Sequence, residues 1–170
     1  GEETGAQLIR RIYPSLGVIP GLILAPGWSQ IPEVGIALAA KAANINGVFK
    51  AMALLDLDTT KATKYTDCKK VKEDSGYTSA HCMVLWPYDK VGELILAKSA
   101  VVAAMMAYQD TENDDVPNLS PSNKLLGVTG QCLADGTEVC VDQDQASTIN
   151  TYGVVTATNV NGWRCWGNYT

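Results

Sequence analysis

The chain closes on Gly162-Trp163-Arg164-Cys165-Trp166-Gly167-Asn168-Tyr169-Thr170, where two tryptophans stand three positions apart between glycines. Alternation with a period of two sets Trp163 and Cys165 on one face of a strand, and Arg164 and Trp166 on the other. Such a strand buries ring area on both faces, which predicts a place in the interior of a sheet. A chain that stops directly after its most deeply anchored strand reads as cut. Residues 1–170 are therefore expected to form a single domain of a longer protein whose terminal linking regions are absent.

The preceding segments alternate between strand and helix. Residues 154–158 predict a strand, with a turn of helix at 147–150 before it and a hairpin about Asp135-Gly136 within 127–141. The clearest helix covers 97–109, where Val101, Met105 and Tyr108 line one apolar face beside Val102 and Met106. Residues 111–123 are acidic and contain proline, so they predict a loop. Toward the start, buried strands are predicted at 21–25, 48–55 and 82–86, with 87–90 turning back and 93–96 returning. Helices are predicted at 2–12 (ended by Tyr13-Pro14-Ser15), from an N-cap at Ser29 to about Asn44, and at 60–72. Ile31, Val34 and Leu38 supply an apolar stripe for the second of these. The fold class is α/β: a mixed, largely parallel sheet flanked by helices, with an added β-hairpin.

Composition narrows the function classes. Charged residues make up 18% of the chain, below the usual ~25%, so part of this low-charge surface is expected to be shared with partners. The net charge of −5 and the scarcity of aromatics beside basic residues argue against nucleic acid and anionic membranes as partners. Pro20 and Pro26 interrupt the best apolar run, which falls short of the ~20 residues of a membrane span. No basic-plus-apolar start suggests a secretion signal. The five cysteines lack CxxC or Cys/His spacing and read as reduced thiols rather than a zinc site or disulfide framework. A two-residue turn at Asp135-Gly136 would set Cys132 opposite Val139, whereas a three-residue loop would set it opposite Cys140.

Three motifs carry a family resemblance. Gly162-Trp163, Trp166-Gly167 and Thr170 resemble the Gly-aromatic-x-x-Trp-Gly-x-Arg-Thr signature of contractile tail sheath proteins, with Tyr169 where that family usually has Arg. Ser120-Pro121-Ser122-Asn123-Lys124 is similar to its (Ala/Ser)-Pro-(Ala/Ser)-Asn-(Lys/Arg) segment, which likewise follows an Ala-rich helix and an aspartate, here Asp110. Leu24-Ala25-Pro26-Gly27-Trp28, with Pro32 and Val34, resembles its strand, Ala-Pro-Gly turn and following helix. The resemblance implies an α/β core sheath domain, often described as subtilisin-like in topology. It also implies a virion subunit, assembled in the bacterial host cytoplasm, that polymerises helically around a tail tube on a baseplate. Pro26, Gly27, Pro121, Asn123, Gly162, Trp163, Trp166, Gly167 and Thr170 would be its signature positions. In that family neighbours are linked by exchanged terminal strands, so a chain lacking them is expected to be monomeric or weakly associated.

A Ser-His-Asp triad would have to use His81, and no serine sits in a nucleophile elbow; Ser99 opens a helix between Lys98 and Ala100. The sharper alternative is Asp56-Leu57-Asp58-Thr59, since an apolar strand ending in Asp-x-Asp-x-Thr is how haloacid-dehalogenase-type phosphotransferases present two aspartates around Mg²⁺. That chemistry needs a lysine and a second acidic cluster on neighbouring strand ends, and Asp114-Asp115 falls in a predicted loop. Two carboxylates leaving a strand, one of them capping near Thr59, is the preferred reading. Gly127-Val128-Thr129-Gly130 lacks the Lys-Ser/Thr of a phosphate loop. No catalytic residue, metal or cofactor is assigned, and a simple binding module stands as a third class.

Overall fold

The structure, a computed structural model, describes residues 5–167. A 3-10 turn over Gly5–Arg11 leads into α1 (Ile12–Leu16), followed by β1 (Leu22–Leu24), α2 (Pro32–Ala43) and β2 (Met52–Asp56). Next come α3 (Cys68–Ser75), β3 (Cys82–Leu85), β4 (Tyr88–Val91), β5 (Leu94–Leu96) and α4 (Lys98–Glu112). The last elements are β6 (Gly130–Cys132), β7 (Glu138–Val139), α5 (Gln143–Thr151), β8 (Val154–Asn159) and β9 (Trp163–Trp166).

The central sheet runs β1-β2-β3-β8-β9, parallel throughout except for the antiparallel pairing of β8 with β9. Its strands alternate side chains between two apolar layers. Ala53, Leu55, Val84 and Val154 face α2, α3 and α5, while Leu54, Met83, Leu85 and Val155 face α4. Burial on both faces is why these strands read as unbroken apolar runs. The expected α/β architecture with a largely parallel sheet is the observed one.

The antiparallel part is larger than expected. Tyr88–Val91 is a strand rather than a turn, and it pairs with β5 on one side and β6 on the other. A second sheet of order β5-β4-β6-β7 results, in which the expected hairpin supplies only β6 and β7. Leu133 N–H donates to Thr137 O, leaving 134–136 as the loop, and Cys132 lies opposite Glu138. Neither expected register occurs, because the loop centres on Asp135 and Gly136 takes φ +89° after it. All five cysteines are free.

Helix boundaries moved for identifiable reasons. Pro14 lies inside α1, in a first turn where its missing N–H is not needed, and the left-handed Gly17 ends the helix. Ile31, not Ser29, is the N-cap of α2, and it is exposed; the buried residues of that helix are Gly35, Leu38, Ala39 and Ala42. After β2 the chain turns at Asp58, and α3 begins only at Cys68. α5 is two full turns long because Asp142 and Gln145 form a capping box that marks its start. α4 continues through Glu112, into the stretch expected to be loop, and its Tyr108 is 68% exposed instead of lining the core.

Strand β9 is also placed differently from expectation: it is the edge of the central sheet, and both its tryptophans are half-buried. The alternation itself holds, since Trp163 and Cys165 join the α4 layer and Trp166 the opposite one. The deepest tryptophan is Trp86, 1% exposed, whose indole N–H donates to Ala62 O at 2.8 Å. No helix among the described residues is long and apolar enough to cross a membrane.

Candidate functional site

The C-terminal end of β2 is where an open parallel sheet would place chemistry. Asp56 ends that strand at 2% exposure, with every carboxylate oxygen engaged. Ser99 donates to it twice, from N–H to Oδ1 at 2.8 Å and from Oγ to Oδ2 at 2.6 Å. Ser29 Oγ donates to Oδ2 at 3.0 Å and accepts the Asp56 N–H at 3.0 Å. The Pro26-Gly27 turn delivers Ser29 there: Ala25 O accepts the Trp28 N–H at 3.0 Å, and Gly27 at φ +78° sits at the third position of a type II turn. Burial raises the Asp56 pKa above the usual carboxylate value, opposed by the bonds from Ser99 and Ser29 and by the charge of Lys98.

Asp58 does a different job. Burial alone would raise its pKa, yet the bonds from Thr60 and the Lys61 ammonium hold it below the ordinary value. Its Oδ1 accepts from Thr60 N–H and Oγ1 at 3.0 and 2.6 Å, so it caps the turn after the strand. The adjacent Thr59 Oγ1 accepts the Ala134 N–H at 3.0 Å and seats the β6–β7 loop.

The lysine nearest Asp56 is Lys98, at the start of α4. It is fully buried and paired with an equally buried Asp89 of β4. With its amide oriented to suit both neighbours, Gln131 accepts from Lys98 Nζ and donates to Ala157 O, each at 3.0 Å. Burial raises the Asp89 pKa, opposed by Lys98 and Gln131. Side chains from β2, α4, β4 and β6, with the main-chain carbonyl of Ala157 in β8, thus form one polar seam joining the two sheets. Composition and periodicity missed it; the one available signal was a lysine, Lys98, opening an apolar helix.

Asp56, Asp89, Lys98 and Ser99 are all buried within this seam. Asp114 and Asp115 follow the far end of α4, in a left-handed turn, and do not join Asp56. Among the described residues no three acidic, histidine or cysteine side chains converge as metal ligands. His81 sits at the opposite end of the sheet, because β3 pairs Cys82 with Ala53 and Leu85 with Asp56. Four residues of strand, roughly 13 Å, separate its level from that of Asp56 and Ser99.

Two of the sequence motifs are brought together. Residues 123–126 lie along the outer edge of β9: Asn123 N–H donates to Cys165 O at 2.7 Å, Cys165 N–H to Lys124 O at 2.9 Å, and Leu126 N–H to Trp163 O at 3.0 Å. Asn123 takes φ +63° to begin this pairing, and Pro121 is buried just before it. Gly162 and Gly167 bracket β9 at positive φ, where an added Cβ would lie 2.8 Å from Leu125 Cδ2 and 2.5 Å from Asn150 Oδ1, respectively. The Pro26-Gly27 turn stands apart from this pair, at the end of β1, and Thr170 and Tyr169 lie outside the described residues.

The remaining feature is a surface groove. Ala104, Met105 and Tyr108 of α4 and the facing segment (Leu119, Leu125, Val128) line two adjoining cavities of about 300 and 420 Å³.

No family model matches the chain. It is 28% identical over 181 aligned positions to a putative prophage major tail sheath protein of Pseudomonas aeruginosa, a similarity covering 100% of this chain and 43% of that protein. In fold it is similar to a chain of the anti-feeding prophage baseplate solved by cryo-electron microscopy, with a TM-score of 0.62 at 21% identity over 95% of this chain and 42% of that one. The chain thus spans less than half the length of either. Along its whole length the chain is similar in sequence to a prophage tail sheath protein, and it is similar in fold to a chain of a prophage baseplate.

Proposed function

We propose that the protein is a structural subunit of a contractile tail sheath, with residues 1–170 as its core domain. Subunits polymerise helically around a tail tube, stack on a baseplate, and contract to drive the tube through a target envelope. The observation that carries this reading is the similarity to a prophage tail sheath protein, which leaves no part of the chain uncovered. In this reading the work of contraction comes from the difference in subunit contacts between two packings, so no catalytic group is required. The arrangement at Asp56 agrees with that: its oxygens are committed to Ser99, which ties the end of β2 to α4, and to Ser29, which ties it to the turn before α2. Pro26, Gly27, Pro121, Asn123, Gly162, Trp163, Trp166, Gly167 and Thr170 are proposed as structural signature positions of the domain.

Co-expression with the tail-tube protein tests this. Sedimentation should carry both proteins together in large particles, visible as tubes in negative stain. A protein that stays in the supernatant beside assembled tubes would contradict it.

A further inference from the structure

The smaller of the two α4 cavities holds an unpaired acceptor. Gln109 lines it and is 8% exposed; its Nε2 donates to Ser120 O at 3.4 Å, whereas its Oε1 accepts from no group among the described residues. A buried oxygen without a donor carries a desolvation cost that an entering N–H or O–H removes. The walls around it are apolar: Met105 is buried there, and Tyr108, Leu119 and Leu125 are exposed. The two charged lining residues, Glu112 and Lys124, are opposite in sign and favour neither charge. The occupant that fits is a large apolar side chain carrying a hydrogen-bond donor, which describes tryptophan or tyrosine.

One side chain of this kind is unused on the same molecule. Among the exposed large apolar residues described, only Tyr13, Trp28 and Tyr108 carry a donor. Tyr108 belongs to the groove itself, and the Tyr13 ring packs on Phe49 with centroids 4.7 Å apart. Trp28 is 65% exposed, and no described residue accepts from its indole N–H. Its backbone is fixed in advance, since its N–H donates to Ala25 O at 3.0 Å and the next residue, Ser29, is bonded to Asp56. A rigidly presented tryptophan is the kind of residue that anchors protein interfaces.

Trp28 does not reach the cavity of its own copy. Ser29 and Ser99 both bond to Asp56, which sets Trp28 beside the first turn of α4. Gln109 lies ten residues beyond Ser99, about 15 Å further along that helix. A pairing between them joins two copies through different surfaces, and such contacts repeat into an open polymer when the rotation does not close.

We propose that Trp28 of one copy inserts into the α4 cavity of the next, its indole N–H donating to Gln109 Oε1. This rests on the assembly reading and adds to it the anchor, its socket and the head-to-tail sense of the contact.

Complementary variants test it. Trp28→Ala removes the anchor and Leu125→Arg blocks the socket; both positions are exposed, and circular dichroism checks that each variant folds. Sedimentation equilibrium of the wild type should show mass rising with concentration, and added salt should leave that rise in place. Each variant alone should stay monomeric. Their equimolar mixture should form pairs and stop there, because one copy then offers only a socket and the other only an anchor. Trp28→Phe keeps a ring without the N–H, and Gln109→Met removes the acceptor; each should weaken association about tenfold. A wild type that stays monomeric, a mixture that forms no pairs, or a Trp28→Ala variant that associates like the wild type would overturn the proposal. So would capture of the tail-tube protein, lost in Leu125→Arg, by a chain that does not self-associate, which would give the cavity to that partner. The sheath reading survives each of these results and fails separately, if the protein forms no tubes with its tail-tube partner.

Discussion

Arg164 Nη1 donates to the carbonyl oxygen of Asn123 at 2.8 Å, joining residues 41 positions apart. The same arginine donates from Nε to Val160 O at 3.0 Å, so one side chain spans the β8–β9 hairpin and the segment outside it. An edge strand left open is a template for pairing with other chains. Here residues 123–126 occupy the outer edge of β9 instead, and the motifs at 120–124 and 162–167 become one structural unit.

Removing a tryptophan should have a position-dependent cost. Trp86→Ala should destabilise the protein by ~3–5 kcal/mol, since its ring is fully enclosed and its N–H is bonded. Trp163→Ala, on a half-buried edge strand, should cost about half of that. Urea unfolding of both variants checks the order. An equal loss would place Trp163 deeper than the structure does.

Gly167→Ala should be costly beyond its backbone strain. Its φ is +132°, and a Cβ would lie 2.5 Å from Asn150 Oδ1 and 3.0 Å from Val155 Cγ2. Gly17 offers a control, at φ +68° with nothing within 4 Å of the added carbon. Gly17→Ala should lose about 1–2 kcal/mol, the ordinary left-handed penalty. Gly167→Ala should lose more, by thermal or urea denaturation, and comparable losses would argue that the end of β9 yields freely.

The buried pair at the sheet junction should behave as a unit. Lys98→Met leaves Asp89 charged and unpartnered in the interior, and should cost ~3–5 kcal/mol. Adding Asp89→Val should recover much of that loss, because both charges are then gone. A double-mutant cycle in urea measures the coupling. Additive losses would show that the two side chains act independently.

Asp56 gives a pH signature. Burial holds its folded pKa above the unfolded value, so the folded state binds its proton more tightly. The stability from this group is full below the unfolded pKa and is lost as pH rises through the folded one. Asp56→Asn removes that dependence. The variant should therefore gain on the wild type as pH rises from about 4 toward neutrality, read from urea midpoints. A wild type that gains on the variant over the same range would mean that Ser29 and Ser99 stabilise the anion more than burial opposes it.

Much of the central sheet was legible because strands such as Ala53-Leu54-Leu55 are buried on both faces and leave an unbroken apolar run. β4 was not legible. Its sequence Tyr88-Asp89-Lys90-Val91 reads as a turn after Pro87, and only the distant β6 and the buried Lys98 make a strand of it. Ser29 reads as a helix cap because its chemistry fits one; its partner, Asp56, lies 27 residues away and no local pattern reveals it. The α5 start, by contrast, was available in Asp142-Gln143-Asp144-Gln145. Alternation gave the faces of β9 correctly and its depth wrongly, since period says which side a residue faces and not whether a strand lies inside or at the edge. Tyr108 illustrates the same limit in a helix, sitting in phase with the buried Met105 yet itself exposed.

The central claim is that this domain builds a sheath wall, and helical reconstruction by cryo-electron microscopy tests it most directly. The protein would be expressed with and without its neighbouring tail-tube gene. The account predicts tubes whose wall repeats this fold, with β1-β2-β3-β8-β9 recognisable in each subunit and the tail tube inside. Discrete soluble particles that turn over a phosphate ester, with the activity lost in Asp56→Asn, would contradict it and hand the end of β2 to catalysis.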